Sequence, residues 1–577
     1  MSKTPNFDKA LAEILDNLQP HTRRCLQCQK DFDIFAEDIE MYKKLQVPPP
    51  KLCPDCRMQR RMGNAIHFLP IFRKKTCSAS GHSEKLISIY SEKNPVKVYD
   101  DDYYNSDQWD ALNFGRDYDF SNNFFDQFNN LLLNVPHQAL QRDFKSAGCE
   151  YTVSGTSSKN CYYVSGPWFS ENAYYGRLPS YSKDCIEFLN VSNCEGCYEG
   201  VELDHCYNCK FCRNSSNCID SHFIFDCKNC SNCFGCFNLR NKQYYFFNEQ
   251  LSKEAYEEKL KSIDLGKKSV VEQFKNQFEE LLKKAIRKNL SNIKAENFVG
   301  NNLKECKNCF WVFENIGGPT ENLRYCQTQE KSNNSMDFTG GSLANHIYES
   351  ARVFTGSSVK FSLMLRVVQE MEYCADCNNC SYCFSCVSLK NKKYCIFNKQ
   401  YDEEEYWQKL DKIKVKMLKD GEYGELFPLV NSIVPYADSN ASIEFYLPKE
   451  EIIKNGWHWE DDESGVDLSK FQTIKASDLP DDIKDVSDNI LNKVIVCEKT
   501  GKPFRITKFE LDFYRKKNIP LPRIHPLQRI KDRFELRHPF KLWQYPCSNC
   551  GQTMYSGYDS TKKYKVYCEQ CYLKEVI

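Results

Sequence analysis

Apolar positions follow two different periods along this chain. In MSKTPNFDKALAEILDNLQP they recur every three to four residues, which predicts an amphipathic helix within residues 1–20. The same spacing in SVVEQFKNQFEELLKKAIRKNL, from Ser269, predicts a second helix, and LSKEAYEEKL at Leu251 and YDEEEYWQKL at Tyr401 predict two more. Between these helices the rhythm changes. From Ser192 the chain breaks into 12-residue units, SNCEGCYEGVEL, DHCYNCKFCRNS, SNCIDSHFIFDC and KNCSNCFGCFNL, with cysteine favouring positions 3, 6 and 9. Short regular repeats rich in Asn, Ser, Gly and aromatics predict a parallel β-solenoid with small residues inside. Asn at position 2 suits a corner, because it tolerates left-handed backbone. A coil of 12 residues, or one of about 24, satisfies this pattern. The period is similar to that of insect antifreeze solenoids, but their threonine ladder is missing, so no ice binding is expected.

The solenoid pattern occurs twice. NCSNCFGCFNLRNKQYYFFN, from Asn229, matches NCSYCFSCVSLKNKKYCIFN, from Asn379. In the shared register Cys194 corresponds to Ala344, Cys197 to Ile347, Cys206 to Gly356, Cys209 to Val359, Cys212 to Ser362 and Cys218 to Val368. Isoleucine and valine cannot replace a metal ligand, whereas cysteine packs as a small hydrophobe, so these thiols read as core. Cys227, Cys230, Cys233 and Cys236 are kept as Cys377, Cys380, Cys383 and Cys386. For these eight, packing, a metal site and redox chemistry all remain open, with packing favoured.

A second duplication joins the ends. Residues 25–62 align without a gap on 497–534, placing Cys25 on Cys497, Tyr42 on Tyr514, Pro54 on Pro526 and Arg57 on Arg529. Farther on, Cys77 corresponds to Cys547, and Val98 to Val566 after a two-residue slip. Four thiolates in two CxxC pairs suit tetrahedral zinc, because i, i+3 spacing lets one tight turn aim two sulfurs at one ion. Cys25, Cys28, Cys53 and Cys56 fit one site, and Cys547, Cys550, Cys568 and Cys571 a second. FDIF and MYKKL can supply a hairpin and connector, and RMQRRMGNA a helix carrying the last two ligands in its first turn. That order resembles a treble clef, and the helix N-terminus favours thiolate. Each site has lost its duplicate: Cys497, Thr500, His525 and Gln528 at one, Cys77, Ser80, Asp100 and Tyr103 at the other. Neither remnant reads as a metal site. Four cysteines leave no open coordination position, so both zincs are expected to be structural.

VPPPKLCPDCRMQRR, SDQWD at Ser106 and FGRDYDFSNNFFDQF together resemble an uncharacterised group of cysteine-rich bacterial zinc-ribbon, treble-clef-like proteins with CxxC repeat modules. The resemblance covers residues 21–140 and extends into the middle through NLRNKQYYFFN. It implies architecture and zinc but no activity. The chain departs from the group near Asp100 and Tyr103, where cysteines are expected.

Composition narrows the function. Lys plus Arg and Asp plus Glu each number 78 of 577 residues, so global charge points to no polyanionic partner. No run of about 18 apolar residues is present. With 32 cysteines and no signal-peptide pattern, a reducing cytoplasm is expected, with thiols free or metal-bound rather than paired. No P-loop, HExxH or GxSxG motif occurs, nor a GxGxxG in a βαβ context. Asp184, Glu187, Glu195, Glu199, Glu202 and Asp204 are clustered acids, but the second module does not keep the set: it has Asn345 for Glu195, Arg352 for Glu202 and Phe354 for Asp204, while Glu199 is kept as Glu349. Arg57, Arg60 and Arg61 are read as offsetting the charge of a zinc tetrathiolate. The basic C-terminal stretch offers Arg515, Lys516, Lys517, Arg523, Arg529 and Arg533 as nucleic-acid contacts.

The expectation is a multidomain, mainly β protein with α: two parallel β-solenoid modules separated by helices and flanked by duplicated zinc-ribbon, treble-clef-like ends. Its segments are an N-terminal helix (1–20), a zinc-binding domain (21–110), an aromatic helical connector (111–148), module A (149–250), a helical connector (251–295), module B (296–400), a helix (401–425), an acidic linker or loosely folded region (426–490) with EDDESGVD and DLPDDIKD, and a C-terminal zinc ribbon (491–577). A non-catalytic scaffold that binds protein or nucleic acid is the expected role, with a carbohydrate-active β-helix enzyme as the alternative. A groove with converging carboxylates would favour the second.

Overall fold

The computed structural model describes residues 2–143, 145–342, 347–461 and 467–577. Ala344, Asn345 and part of EDDESGVD (462–466) lie outside them. The expected architecture is present: two solenoid modules, helices between and after them, and cysteine-clustered units at both ends. Module A is a ten-stranded sheet running in sequence order, parallel except for its last hairpin strand; module B is an eleven-stranded sheet, likewise parallel except for its last hairpin strand, whose first strands branch from the long strand Lys304–Gly317.

The regular coil length is 12 residues, although module B opens with an 11-residue step (Ile293 to Lys304) and a 14-residue step (Cys306 to Thr320). Lys159 pairs with Glu171, Glu171 with Lys183, Lys183 with Glu195 and Glu195 with Tyr207, each 12 apart. The corners are more frequent than the sequence suggested. In a unit such as Ser192–Leu203, positions 2, 5, 8 and 11 all have left-handed backbone: Asn193 (φ 51°), Gly196 (66°), Glu199 (48°) and Glu202 (55°). Each coil therefore has four short sides. A left-handed residue without glycine costs about 1–2 kcal/mol. The geometry persists because it turns each corner N–H along the stack. Asn193 N–H donates to Ser180 O at 2.9 Å, and Asn208 N–H to Glu195 O at 2.9 Å. Asparagine corners add side-chain ladders, such as Asn229 to Asn241 at 3.0 Å and Asn379 to Asn391 at 2.7 Å.

Positions 3, 6, 9 and 12 point inward, and this explains the cysteines. Cys206, Cys209, Cys212 and Cys218 are buried, and so are the eight thiols of the conserved runs. The lumen is lined by carbonyls, and a thiol both fills space and donates to them. Cys212 Sγ reaches Lys210 O at 3.1 Å and Ser221 O at 3.3 Å. Ser170 Oγ reaches Trp168 O at 3.0 Å and Pro179 O at 2.9 Å in the same pattern. Cysteine and serine thus interchange at these positions. Volume is balanced along a column: Phe188 points inward, and a Cβ on Gly176, one coil earlier, would sit 2.5 Å from its ring. Cys306 and Cys309 are paired as a disulfide, against the expectation that no cysteine pairs; successive inward positions bring their sulfurs together. All other cysteines are unpaired.

The two terminal units dock crosswise, the N-terminal one on module B and the C-terminal one on module A. Helix Pro54–Gly63 places Arg57 and Arg61 on Asp337, at 3.0 and 2.9 Å, and Arg61 also donates to Tyr325 O at 3.1 Å. Helix Pro526–Phe534 places Arg529 and Arg533 on Glu187, and Arg533 donates to Tyr175 O at 2.8 Å. Asp337 and Glu187 occupy the same position of their modules. The aromatic contacts are duplicated too. Arg57 lies 5.2 Å over Tyr325 and Arg529 4.9 Å over Tyr175; Tyr42 meets Tyr348 at 5.9 Å and Tyr514 meets Tyr198 at 6.1 Å. Charge compensation of the thiolates is therefore not what Arg57, Arg60 and Arg61 do. They are buried against Asp337, Glu349 and Glu425 of other elements.

The connectors are packed. Phe124 and Phe128 of helix Phe124–Asn134 are buried, and Phe124 meets Tyr373, Phe384 and Phe397 of module B. MYKKL belongs to a helix, Ala36–Leu45, rather than to irregular connector. The described part of 426–490 is not loose: Leu429, Tyr436, Ala441, Ile452, Leu479 and Ile483 are buried, and Glu444 pairs with Arg537.

Candidate metal centres and the cleft between the modules

The N-terminal centre is built from a hairpin and a helix. Strands His21–Arg24 and Asp31–Ile34 carry the turn with Cys25 and Cys28. Cys53 caps helix Pro54–Gly63, and Cys56 lies in its first turn. The four sulfurs lie within 4.8 Å of one another, and Cys28 and Cys53 are 3.7 Å apart. Tetrahedral thiolates around zinc are separated by about 3.8 Å, given bonds of about 2.3 Å. The donor set therefore fits a tetrahedral ion. Backbone supports it: Cys53 N–H donates to Cys25 Sγ at 3.3 Å. Hydrogen bonding from the Cys56 thiol, ahead of the opposing effect of burial, draws the Cys53 thiol down to about 5.

The C-terminal centre follows the same plan. Cys547 and Cys550 lie in the turn between Trp543–Pro546 and Thr553–Ser556, Cys568 caps helix Glu569–Val576, and Cys571 is in its first turn. The sulfurs again lie within 4.8 Å, with Cys550 and Cys568 at 3.8 Å. Burial pushes the Cys547 thiol up, but N–H groups of Cys550, Cys568 and Asn549 outweigh it and bring the thiol to about 6.

The degenerate copy of the first centre keeps the fold without the ligands. His525 N–H donates to Cys497 Sγ at 3.2 Å, as Cys53 N–H does to Cys25, while the His525 ring accepts from Leu527 N–H at 3.2 Å. The degenerate copy of the second centre differs from expectation. Cys77 and Asp100 are joined by His82 and Glu84, with ligand atoms within 4.8 Å. Among the described residues the solenoid cysteines form no four-ligand group.

The six basic residues do not share one open face. Arg529 and Arg533 are directed inward to Glu187, Arg515 pairs with Asp488, Arg523 donates to Leu479 O at 2.9 Å, and Lys517 reaches Asn208 at 2.8 Å. Lys516 is exposed.

A larger feature lies between the modules. A cleft of about 880 Å³ is lined from module A by Trp168, Tyr181, Asn190 and Glu202, and from module B by Asn302, Lys304 and Glu314, with Arg287 and Tyr558 closing one end. Two carboxyl groups converge in it. Asn190 Nδ2 donates to Glu202 Oε1 at 2.8 Å and to Glu314 Oε1 at 2.6 Å. Arg177 of module A bridges to Glu314 at 3.0 Å. Their environments push the two acids apart. Burial, then the charge of Glu314, raises Glu202 to about 7. Glu314 resists burial because Arg177 and Arg537 hold it at about 2. Arg287 is buried, with Nε and Nη1 lacking hydrogen-bond partners, and lies 3.9 Å over Tyr564. Sequence reading dismissed Glu202 because module B has no acid at its counterpart. The partner is Glu314, which lies in the same corner column as Arg352 but three coils earlier, where a 14-residue step from Phe313 to Gln327 shifts it out of the 12-residue alignment.

No helix is long and apolar enough to cross a membrane among the described residues. No protein-family model matches this chain, and no curated protein matches it.

Proposed function

We propose that the protein is a zinc-stapled solenoid scaffold whose working surface is the cleft between its modules, and that the cleft binds a carbohydrate chain carrying acidic groups. Zinc is the ion suited to four thiolates at both intact centres, where it fixes the docking helices and leaves no open coordination position. The observation that carries the ligand assignment is the lining of the cleft. Asn193, Asn214 and Asn217 of module A and Asn302 of module B place amides in the lining, and Tyr181 and Trp168 present rings. Amides pair with hydroxyls, and aromatic faces pack on sugar rings. Arg287, which lines the cleft, supplies a cation for a carboxylate or sulfate. The nucleic-acid role for the six basic residues loses support, since five of them engage the protein itself. Apart from the Cys306–Cys309 pair, the lumen thiols are free, which favours a reducing, cytoplasmic setting.

A second reading rests on Glu202 and Glu314. One acid protonated near neutrality beside one ionised is the division of labour that glycoside cleavage uses. Calorimetry of the full chain against acidic and neutral oligosaccharides tests both readings. Acidic chains are expected to bind, with Arg287→Ala weakening them about tenfold, or about 1.4 kcal/mol. Absence of binding by either class overturns the assignment. Cleavage of a bound chain, lost in Glu202→Gln with binding retained, would establish the hydrolytic reading.

A further inference from the structure

The remnant at Cys77 has the same backbone as the intact C-terminal centre. Cys77 ends strand Arg73–Thr76 as Cys547 ends Trp543–Pro546. Ser78 N–H donates to Val98 O at 2.8 Å, and Ser548 N–H to Val566 O at 2.9 Å. Val98 N–H returns to Ser78 Oγ at 3.2 Å, and Val566 N–H to Ser548 Oγ at 3.1 Å. Asp100 caps helix Asp101–Asn105 where Cys568 caps Glu569–Val576, with matching φ of −59° and −62°. Asp100 thus stands where Cys568 stands, and its carboxylate is oriented by the N–H groups of Asp102 and Tyr103, both at 2.9 Å.

The two copies differ in the turn. Cys547 N–H closes on Gln552 O at 2.8 Å, whereas Cys77 N–H closes on Glu84 O at 3.1 Å, two residues farther along. This insertion is the two-residue slip of the alignment. It brings His82 and Glu84 to the side where Cys550 lies in the other copy, and they contact each other at 2.8 Å. Tyr103, at the position of Cys571, sets its ring 4.9 Å from the His82 imidazole and supports it. Cys77 is buried, and the ligand atoms of Cys77, His82, Glu84 and Asp100 lie within 4.8 Å of one another.

We infer that Cys77, His82, Glu84 and Asp100 form a third metal site, in which a two-residue insertion and Asp100 stand in for the three cysteines this copy lacks, and that it takes a divalent first-row cation of the zinc class. One thiolate, one imidazole and two carboxylates are all zinc donors, and the mixture is harder than a tetrathiolate. The site should therefore bind more weakly than the other two and release its ion first to a chelator.

The test uses the full chain, stripped of metal and titrated with zinc alone or cobalt alone. Wild type should take up one equivalent more than His82→Ala, and the cobalt charge-transfer bands of the tetrathiolate centres should be the same in both. Glu84→Gln, on the exposed side of the turn, should weaken the same equivalent without affecting folding. Equal stoichiometry in wild type and His82→Ala overturns the assignment, whether the total is two or three. Because the readout is a difference of one equivalent, it stands apart from whether the cysteine-only centres fill.

Discussion

The two copies of the terminal unit have kept different things. The N-terminal copy retains Cys25, Cys28, Cys53 and Cys56, whereas its duplicate holds Cys497, Thr500, His525 and Gln528. Yet both keep the hairpin, the two helices and the same arginine pair seated on an acid of a solenoid module. The four-cysteine set differs between the copies at this position; the docking contacts do not. The shared interface, with its buried guanidinium pair and stacked tyrosines, is enough to hold the C-terminal fold where no tetrathiolate remains.

The comparison breaks most directly at the acids. Asp337→Ala and Glu187→Ala each leave two buried arginines without their carboxylate. Each should cost about 3–5 kcal/mol, measured by denaturant unfolding, and should open the matching terminal unit to proteolysis. If Asp337→Ala is severe and Glu187→Ala mild, the two interfaces are not equivalent.

A smaller effect separates the copies by pH. Asp38 pairs with Arg324 at 2.6 Å, while its counterpart Glu510 is fully buried with no cation at the matching position, which is Tyr174. Burial raises Glu510 to about 7, against the opposing effect of the Thr507 N–H. Below about pH 4.5 Glu510 is protonated folded or unfolded and contributes nothing to pH dependence. Between 4.5 and 7 the folded state holds a proton that the unfolded state has released, so stability falls as pH rises. Glu510→Gln should therefore be neutral at pH 4 and stabilise by about 1–3 kcal/mol at pH 8. Asp38→Asn should destabilise at pH 8, because it removes the carboxylate partner of the half-buried Arg324. Thermal melts at the two pH values read both.

The smallest effect concerns the lumens. Cys209→Val places in module A the residue that module B carries at Val359. It should cost less than about 1.5 kcal/mol and leave metal content unchanged. Loss of a bound ion would return the inner thiols to metal chemistry.

Much of this was legible in the sequence because repeats compare a chain with itself. The exchange of Cys209 for Val359 and Cys197 for Ile347 marked the lumen, and the CxxC pairs marked the two intact centres. Other features rest on groups the repeats do not pair. Left-handed backbone at position 8 was invisible, since Glu199, Phe211 and Phe223 are not residues that announce it, whereas Gly196, Asn208, Asn214 and Asn238 at positions 5 and 11 carried a signal that went unused. Cross-docking had a signal that went unused: Arg57 and Arg529 match in one alignment, Asp337 and Glu187 in the other. His82 and Glu84 were hidden by an insertion, which an alignment records only as a slip. The cleft pair joins Glu202 and Glu314 across two modules, and only coordinates bring them together.

Crosswise attachment also sets the order in which the chain can mature. Module A is finished near residue 250, but the helix that covers Tyr175 and Tyr198 lies beyond residue 500. During synthesis that aromatic face stays wet while some 280 further residues emerge. Module B, by contrast, meets its cover at once, because the N-terminal unit is already waiting. A nascent chain therefore carries one sealed half and one sticky half, and the second is where holding chaperones would bind.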